Sequence, residues 1–378
     1  MRFSRILVEN WRNFGFVEVP LQDRAFLLGP NASGKSNFLD VFRFLRDLAT
    51  PAGGFQGAVA DRGGVSRVRN LAARAQPNVA IEAALEDSGE EVWRYRVAFA
   101  QDKQRRAILR EEKVWTRGRV LLDRPDASDR SDEARLRQTH LEQTIANREF
   151  REIADFFGSV RYYHIVPQLI RDPERSTGVK RDPYGGDFLE QIAQTDGRTR
   201  TARLKHILSA LKVAVPQLDE LKLERDSRGT THMKGRYKHW RPQGAWQTEA
   251  DFSDGTLRLM GLLWAVLDGT GPLLLEEPEL SLHPEIVRQI PQLLIRVQRR
   301  LGRPPRQVLL STHSGDLLRD EGIAADEILL VIPAAEGSQI QVGAADQEVR
   351  RLLQLGLTAA EVVIPRTRPD DVGQLSLL

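Results

Sequence analysis

The chain has 378 residues, carries 55 Lys+Arg against 52 Asp+Glu for a formal charge of +3, and contains no cysteine. That length allows one large domain or two modest ones. The absence of cysteine excludes disulfides and thiolate metal sites, and so even a charge balance does not by itself argue for nucleic acid.

MRFSRILVEN at the start lacks the apolar core of a signal peptide, and no run approaches the roughly 18 apolar residues of a membrane helix. A soluble cytoplasmic protein that makes no membrane contact is expected. Phe3, Ile6, Val8 and Trp11, then Phe16, Val17 and Val19, read as two short strands joined by NWRNFG. Phe26, Leu27 and Leu28 make a short buried strand. A glycine-bounded loop follows, and Phe38, Leu39, Phe42 and Leu45 mark an amphipathic helix. Residues 50–70, rich in Gly and Ala, read as irregular. VAIEAAL, WRYRVAFA and AILREEKVW predict an antiparallel sheet, and DRPDASDRSDEAR a loop or mobile linker. A helix is expected over 133–156, then a strand in VRYYHIVPQLIR interrupted at Pro167. A helix over 200–213 and a strand hairpin over 218–250 follow. DFSDGTLRLMGLLWAVLDG is a polar turn opening an apolar helix at 256–267. A strand ends at Glu276, and a helix spans 284–300. RQVLLSTHS is a buried strand with a polar tip at 311–314. A strand near 327–332 and a short helix near 346–356 close the core, and the tail PRTRPDDVGQLSLL reads as loose.

Four stretches carry chemistry. GPNASGKS, Gly29 to Ser36, fits G-x-x-x-x-G-K-[ST] between a strand and a helix. Its glycines let backbone N–H groups converge on an anion, the helix that follows presents its positive end, Lys35 reaches β- and γ-phosphates, and the Ser36 hydroxyl suits magnesium. Gly29, Asn31, Gly34, Lys35, Ser36 and Asn37 are therefore the candidate ATP contacts. LLLEEPELSLHP ends a buried strand in two carboxylates, which are costly to desolvate unless a cation or some chemistry awaits them. Glu276 is the candidate magnesium ligand and Glu277 the candidate general base. SDGTLR, with Ser253 and Gly255, opens a helix and is a second candidate anion site, or simply a helix cap. STHS places His313 at another strand end, where a histidine could donate to the γ-phosphate or the attacking water.

Taken together these stretches resemble the ATP-binding-cassette type ATPase heads of the RecF, SMC and OLD group, most closely the small stand-alone ATPases related to OLD proteins. ILVENWRNF through GPNASGKSNFLD, FSDGTLRLMGLL, LLLEEPELSLHP and LLSTHS carry the resemblance. It implies an α/β fold: a mixed or parallel P-loop core sheet with flanking helices, an antiparallel β lobe and a helical subdomain. The implied layout is an N-terminal lobe at 1–125, an insertion at 126–250, a C-terminal lobe at 251–364 and a tail at 365–378. It also implies a Walker A loop at 29–36, a signature loop at 253–258, a Walker B strand at 273–277, a D-loop near Ser281 to Pro284 and a switch histidine at His313. In such heads ATP is held between two protomers, each signature loop touching the nucleotide of the other.

Departures are visible. Walker B reads Glu276-Glu277 where Asp-Glu is usual, the signature is Ser-Asp-Gly-Thr, which brings Asp254 into phosphate territory, and Ala32 stands where Gly is usual. Gln168 is the candidate Q-loop residue and magnesium contact. The short stretch after His313 holds no acidic cluster for a TOPRIM nuclease, so nuclease activity would need a separately encoded partner. Residues 222–241 mix Lys222, Arg225, Arg228, Lys234, Arg236, Lys238 and Arg241 with Tyr237 and Trp240, a candidate DNA-binding hairpin or a solvated one. The expected function is a magnesium- and ATP-dependent, homodimerising ATPase in DNA repair or defence against foreign DNA. A nucleotide-gated scaffold with little hydrolysis is the alternative. A transporter subunit fits poorly with the long interval between Ser36 and Ser253, and a P-loop kinase gives no reason for the signature or His313.

Overall fold

The computed structural model describes residues 1–50, 53–73, 78–176, 182, 184–238, 245–300 and 306–367. Trp240, Arg241 and most of the expected tail at 365–378 lie outside the described residues. The strands are β1 (Arg2–Trp11), β2 (Phe14–Pro20), β3 (Arg24–Leu28), β4 (Val79–Asp87), β5 (Glu90–Gln101), β6 (Ala107–Thr116), β7 (Arg119–Arg124), β8 (Arg161–Tyr163), β9 (Leu218–Arg225), β10 (Thr231–Tyr237), β11 (Ala245–Thr248), β12 (Leu273–Glu276), β13 (Val308–Ser311), β14 (Ile328–Ile332) and β15 (Gln339–Val342). Contacts divide the chain into two compact units: residues 1–161 with 270–274 and 306–378, and residues 162–269 with 275–305. The chain passes between them within β8 and β12.

In the first unit β2-β1-β4-β5-β6-β7 form an antiparallel sheet. The second sheet has the order β15-β14-β3-β13-β12-β8, with β3 parallel to both β13 and β14 and β15 antiparallel to β14. The helix Lys35–Leu48 buries Phe38, Leu39, Val41, Phe42, Phe44, Leu45 and Leu48, a stripe too wide for one partner face. Phe42 meets Phe3 of β1 edge-on at 4.9 Å and Phe38 at 5.5 Å. Burial of a Phe side chain is worth about 1.5–3 kcal/mol, so this aromatic cluster fixes where the helix, and the loop before it, must lie.

Three readings need correction. Residues 50–70 contain the helices Gly54–Ala60 and Val65–Val68, which bury Phe55, Val59, Val65 and Val68. The helix expected over 133–156 exists only as Arg151–Gly158, after a 3-10 turn at Glu133–Arg137. Side chains have taken the backbone donors that a helix would need: Glu112 accepts from His140 N–H at 2.7 Å and Leu141 N–H at 3.0 Å, and Glu142 accepts from Thr139 N–H at 2.8 Å. The polar stretch read as a mobile linker folds around Arg124. The guanidinium is fully buried and every one of its N–H groups is engaged, by Asp129, Glu112 and the carbonyls of Gln138 and Arg135. A charge so deep is tolerable only because it is completely paired.

The second unit holds the antiparallel sheet β11-β10-β9 and the helices Phe188–Gln194, Gly197–Ala214 and Asp254–Leu267. Asp254–Leu267 is buried nearly all round, with Trp264 edge-on to Phe188 and under the guanidinium of Arg203 at 5.0 Å. In the expected DNA-binding hairpin, Arg236 pairs with Asp219 and Glu220, Lys234 and Lys222 with Glu224, and Lys222 also covers Trp246. Much of its positive charge is therefore engaged within the sheet.

Replacing Arg124 with Met leaves Glu112 buried without the counter-charge it has in the parent, and Asp129 with only the more exposed Arg135. The variant should lose about 3–5 kcal/mol, read as a lower urea midpoint. Hydrogen bonds from Arg124 hold the Asp129 carboxyl well below the ordinary range. Its contribution is present above the unfolded carboxyl value and disappears as pH falls towards the folded one, so the Arg124 variant should show less acid sensitivity than the parent.

Candidate functional site

The phosphate-loop motif begins where β3 ends. A Cβ on Gly29 would lie 2.4 Å from the Val331 carbonyl of β14, and one on Gly34 would lie 2.2 Å from Asn13 Nδ2. Gly34 also has φ +112°, and Ala32, at the position where glycine is usual, has φ 61°. The loop therefore keeps the left-handed turn at Ala32 without glycine, at a cost of about 1–2 kcal/mol.

Asn13, in the β1–β2 turn, holds this loop in shape. Its Nδ2 donates to Ser33 O at 2.7 Å and to Ser338 Oγ at 2.8 Å, and its Oδ1 accepts from Asn37 Nδ2 at 2.7 Å. Ser338 Oγ donates to the same Ser33 carbonyl, and Trp11 Nε1 donates to Asn37 O. Asn37 thus faces Asn13. Asn31 and Ser36 are exposed, and Lys35 is buried with its Nζ on Gly29 O at 3.0 Å and Pro30 O at 3.1 Å.

Register places His313 near the loop. Ser311 of β13 pairs with Leu27 of β3, and Thr312 N–H continues the ladder to Leu27 O at 3.1 Å. His313 and Gly29 therefore each follow at the carboxyl end of adjacent parallel strands, where α/β sheets place ligands. His313 is exposed, and Ser314 N–H closes a turn on Thr312 Oγ1.

In the second unit, Glu276 and Glu277 stand half-buried at the end of β12, and Glu277 adopts φ 43°. The buried Tyr162 donates its hydroxyl to Glu276 Oε2. Ser253 caps the helix Asp254–Leu267, accepting from Thr256 N–H at 3.2 Å. Asp254 is not a bare negative charge: Arg171 approaches it at 2.6 Å and also donates to Phe252 O, and Gln168 Nε2 contacts its other oxygen at 3.5 Å. Gln168, exposed on the short helix Pro167–Ile170, is thus placed against Asp254, whereas Tyr162 is on Glu276. Arg258 faces Asp254, Glu277 and Glu279. Burial pulls its affinity for protons down, those carboxylates raise it, and the downward pull prevails. Its Nε is buried with no hydrogen-bond partner among the described residues.

The segments at 253–258 and 281–284 touch. A Cβ on Gly255 would lie 2.7 Å from the Ser281 carbonyl, and Ser281 itself has φ 61°. Reading the sequence missed Asn13, Ser338, Tyr162, Arg171 and Arg258. An asparagine in a hairpin turn is ordinary, so no local signal marks Asn13. Tyr162 and Arg171 did have one, since both flank the Q-loop candidate.

Residues 24–320 match the family model described as AAA domain, putative AbiEii toxin, Type IV TA system. Over 55 residues the chain is 42% identical to Endonuclease GajA of Bacillus cereus (strain VD045); the match covers 15% of this chain and 10% of that protein's length. Among solved structures, the SMC head bound to the C-winged helix domain of ScpA aligns over 90% of this chain and 98% of its own, with TM-score 0.56 and 13% identity. The Smc head with an extended coiled coil bound to the C-terminal domain of ScpA, from Pyrococcus furiosus, covers 90% and 96%, with TM-score 0.51 and 12% identity. The fold is that of an SMC-type ATPase head, as the sequence resemblance implied.

Gly255→Ala drives a methyl group into the Ser281 carbonyl and should cost about 1–3 kcal/mol through overpacking. Gly57→Ala, where nothing stands in the way, should cost far less. Thermal melts of the two variants check this.

Proposed function

The chain belongs to the AAA-domain family matched across residues 24–320, and from that premise we propose that it is an ATP-hydrolysing, ATP-dependently dimerising protein acting in DNA repair or defence against foreign DNA. One observation carries the reading above others: the strand–GPNASGKS–helix unit, in which neighbouring atoms at Gly29 and Gly34 leave room for glycine alone.

Lys35 binds β- and γ-phosphates and the 29–36 amides cradle them, with the dipole of Lys35–Leu48 in support. Asn31 and Asn37 flank that cradle. His313 donates to the γ-phosphate or the water. Ser253 and Gly255 meet the nucleotide of a second copy, and the pairing of Asp254 with Arg171 removes the electrostatic objection to an anion there. Glu277 takes the proton of the attacking water as general base.

The donor set suits magnesium rather than a softer ion, because Ser36 and Glu276 offer oxygen, with Gln168 as a further oxygen donor once released from Asp254. Among the described residues no group of three His, Cys, Asp or Glu could hold a metal. Bound there, magnesium supplies Lewis-acid polarisation of the phosphoryl oxygens.

The link to DNA rests on the short match to an endonuclease and on the head fold. A separately encoded nuclease subunit is the proposed partner. The second unit's hairpin contributes less than its composition promised, since Arg236, Lys234 and Lys222 are engaged internally.

Glu277→Gln should leave ATP binding intact, slow turnover by roughly 10²–10⁴, and accumulate an ATP-bound dimer on size exclusion. Unaltered turnover would remove Glu277 as base, and binding without any turnover in the parent chain would favour the scaffold. Duplex DNA affinity should fall linearly on a log–log plot against salt, with a slope near −0.9 per phosphate contacted; a flat line excludes backbone binding.

A further inference from the structure

Glu276 poses a specific problem. Its side chain is one methylene longer than the aspartate usual at that position, so it has an extra rotor to immobilise before it can present an oxygen to a cation. The structure supplies a restraint. Tyr162, 8% exposed at the middle of β8, donates its hydroxyl to Glu276 Oε2. β8 is the sheet neighbour of β12, so the phenol reaches the carboxylate from an adjacent strand rather than from a loop. A hydrogen bond to an ionised acceptor is the stronger, more directional kind.

We infer that Tyr162 is a positioning residue for Glu276, holding its carboxylate as an oxygen ligand for the divalent cation that accompanies the nucleotide. The inference rests on the ATPase reading above and adds to it the residue that makes a glutamate serviceable at this strand end. Outer-shell partners of this type fix the orientation of a ligating carboxylate, and their loss typically weakens metal binding roughly 10- to 100-fold.

The test uses the full chain with a non-hydrolysable ATP analogue and Mn²⁺ as the probe, read by electron paramagnetic resonance, alongside analogue affinity in EDTA. Tyr162→Phe should weaken Mn²⁺ retention roughly 10- to 100-fold, while metal-free nucleotide affinity stays at the parent value. Glu276→Asp supplies a second arm independent of how well the phenylalanine variant folds. The shorter side chain no longer reaches the hydroxyl, so adding Tyr162→Phe to Glu276→Asp should change Mn²⁺ affinity less than about twofold, the coupling expected when two side chains act through one contact. Parent-like Mn²⁺ affinity in Tyr162→Phe, or an equal loss in both backgrounds, overturns the inference while leaving the ATPase reading intact. Failure of the parent chain to retain Mn²⁺ with nucleotide overturns both.

Discussion

The Ser33 carbonyl is gripped from two directions, by Asn13 Nδ2 and by Ser338 Oγ, and the shape of the phosphate loop depends on that grip. A loop that must point its amides at a ligand has its carbonyls facing away, where they need other donors. The two donors come from distant parts of the sequence, the β1–β2 turn and the segment entering β15. Gly337 is forced by the same arrangement: a Cβ there would lie 2.6 Å from Asn13 O, and Ser338 N–H donates to that carbonyl at 2.7 Å. The first strands and the last strand of the first unit thus serve the motif between them, which explains why the sequence resemblance extends back to ILVENWRNF.

Charge is handled by complete pairing. Arg124, Glu112 and Asp129 do this in the dry interior of the first unit. Asp40 does it within the phosphate-loop helix, where burial is outweighed by Arg62, Arg43 and Arg12, which keep its carboxyl below the usual range. In the second unit Arg171 does it for Asp254. Arg258 faces three acidic residues, and its Nε, like that of Arg12, is buried with no hydrogen bond among the described residues.

Legibility in the sequence followed the range of the interactions. The phosphate loop, the apolar helix at 254–267 and the strand ending at Glu276 rest on local pattern, and each was readable. The sheet containing β4, β5 and β6 was readable by alternation, whereas β7 and β15 were missed; β15 is only four residues long. The helix expected over 133–156 failed because Glu112, many residues earlier, captures the amides of His140 and Leu141, and no window around 140 contains that fact. The basic hairpin shows a different limit. Counting Lys and Arg over 222–241 ignores Asp219, Glu220 and Glu224, which form ion pairs with Arg236, Lys234 and Lys222. The residues proposed to act directly carry motif signals, while Asn13, which holds the loop, is an ordinary residue in an ordinary place.

Two adjacent carboxylates at a strand end are held by unlike means. Glu276 is still in the strand and is fixed through its side chain, by Tyr162. Glu277 has left the strand and faces Arg258, and its backbone adopts φ 43°, which costs about 1–2 kcal/mol relative to a right-handed conformation. Successive side chains of a strand point to opposite faces, so a regular continuation would turn the second carboxylate away from the first. The left-handed residue breaks that alternation, and the Leu280 N–H closes back on the Glu277 carbonyl at 3.3 Å. Strain of this kind survives only where the surroundings over-determine it, and it concentrates where a side chain must be aimed. A glycine at 277 would relieve the strain and lose the carboxylate. That the chain keeps a glutamate there is the reason to look for chemistry at this residue rather than for stability.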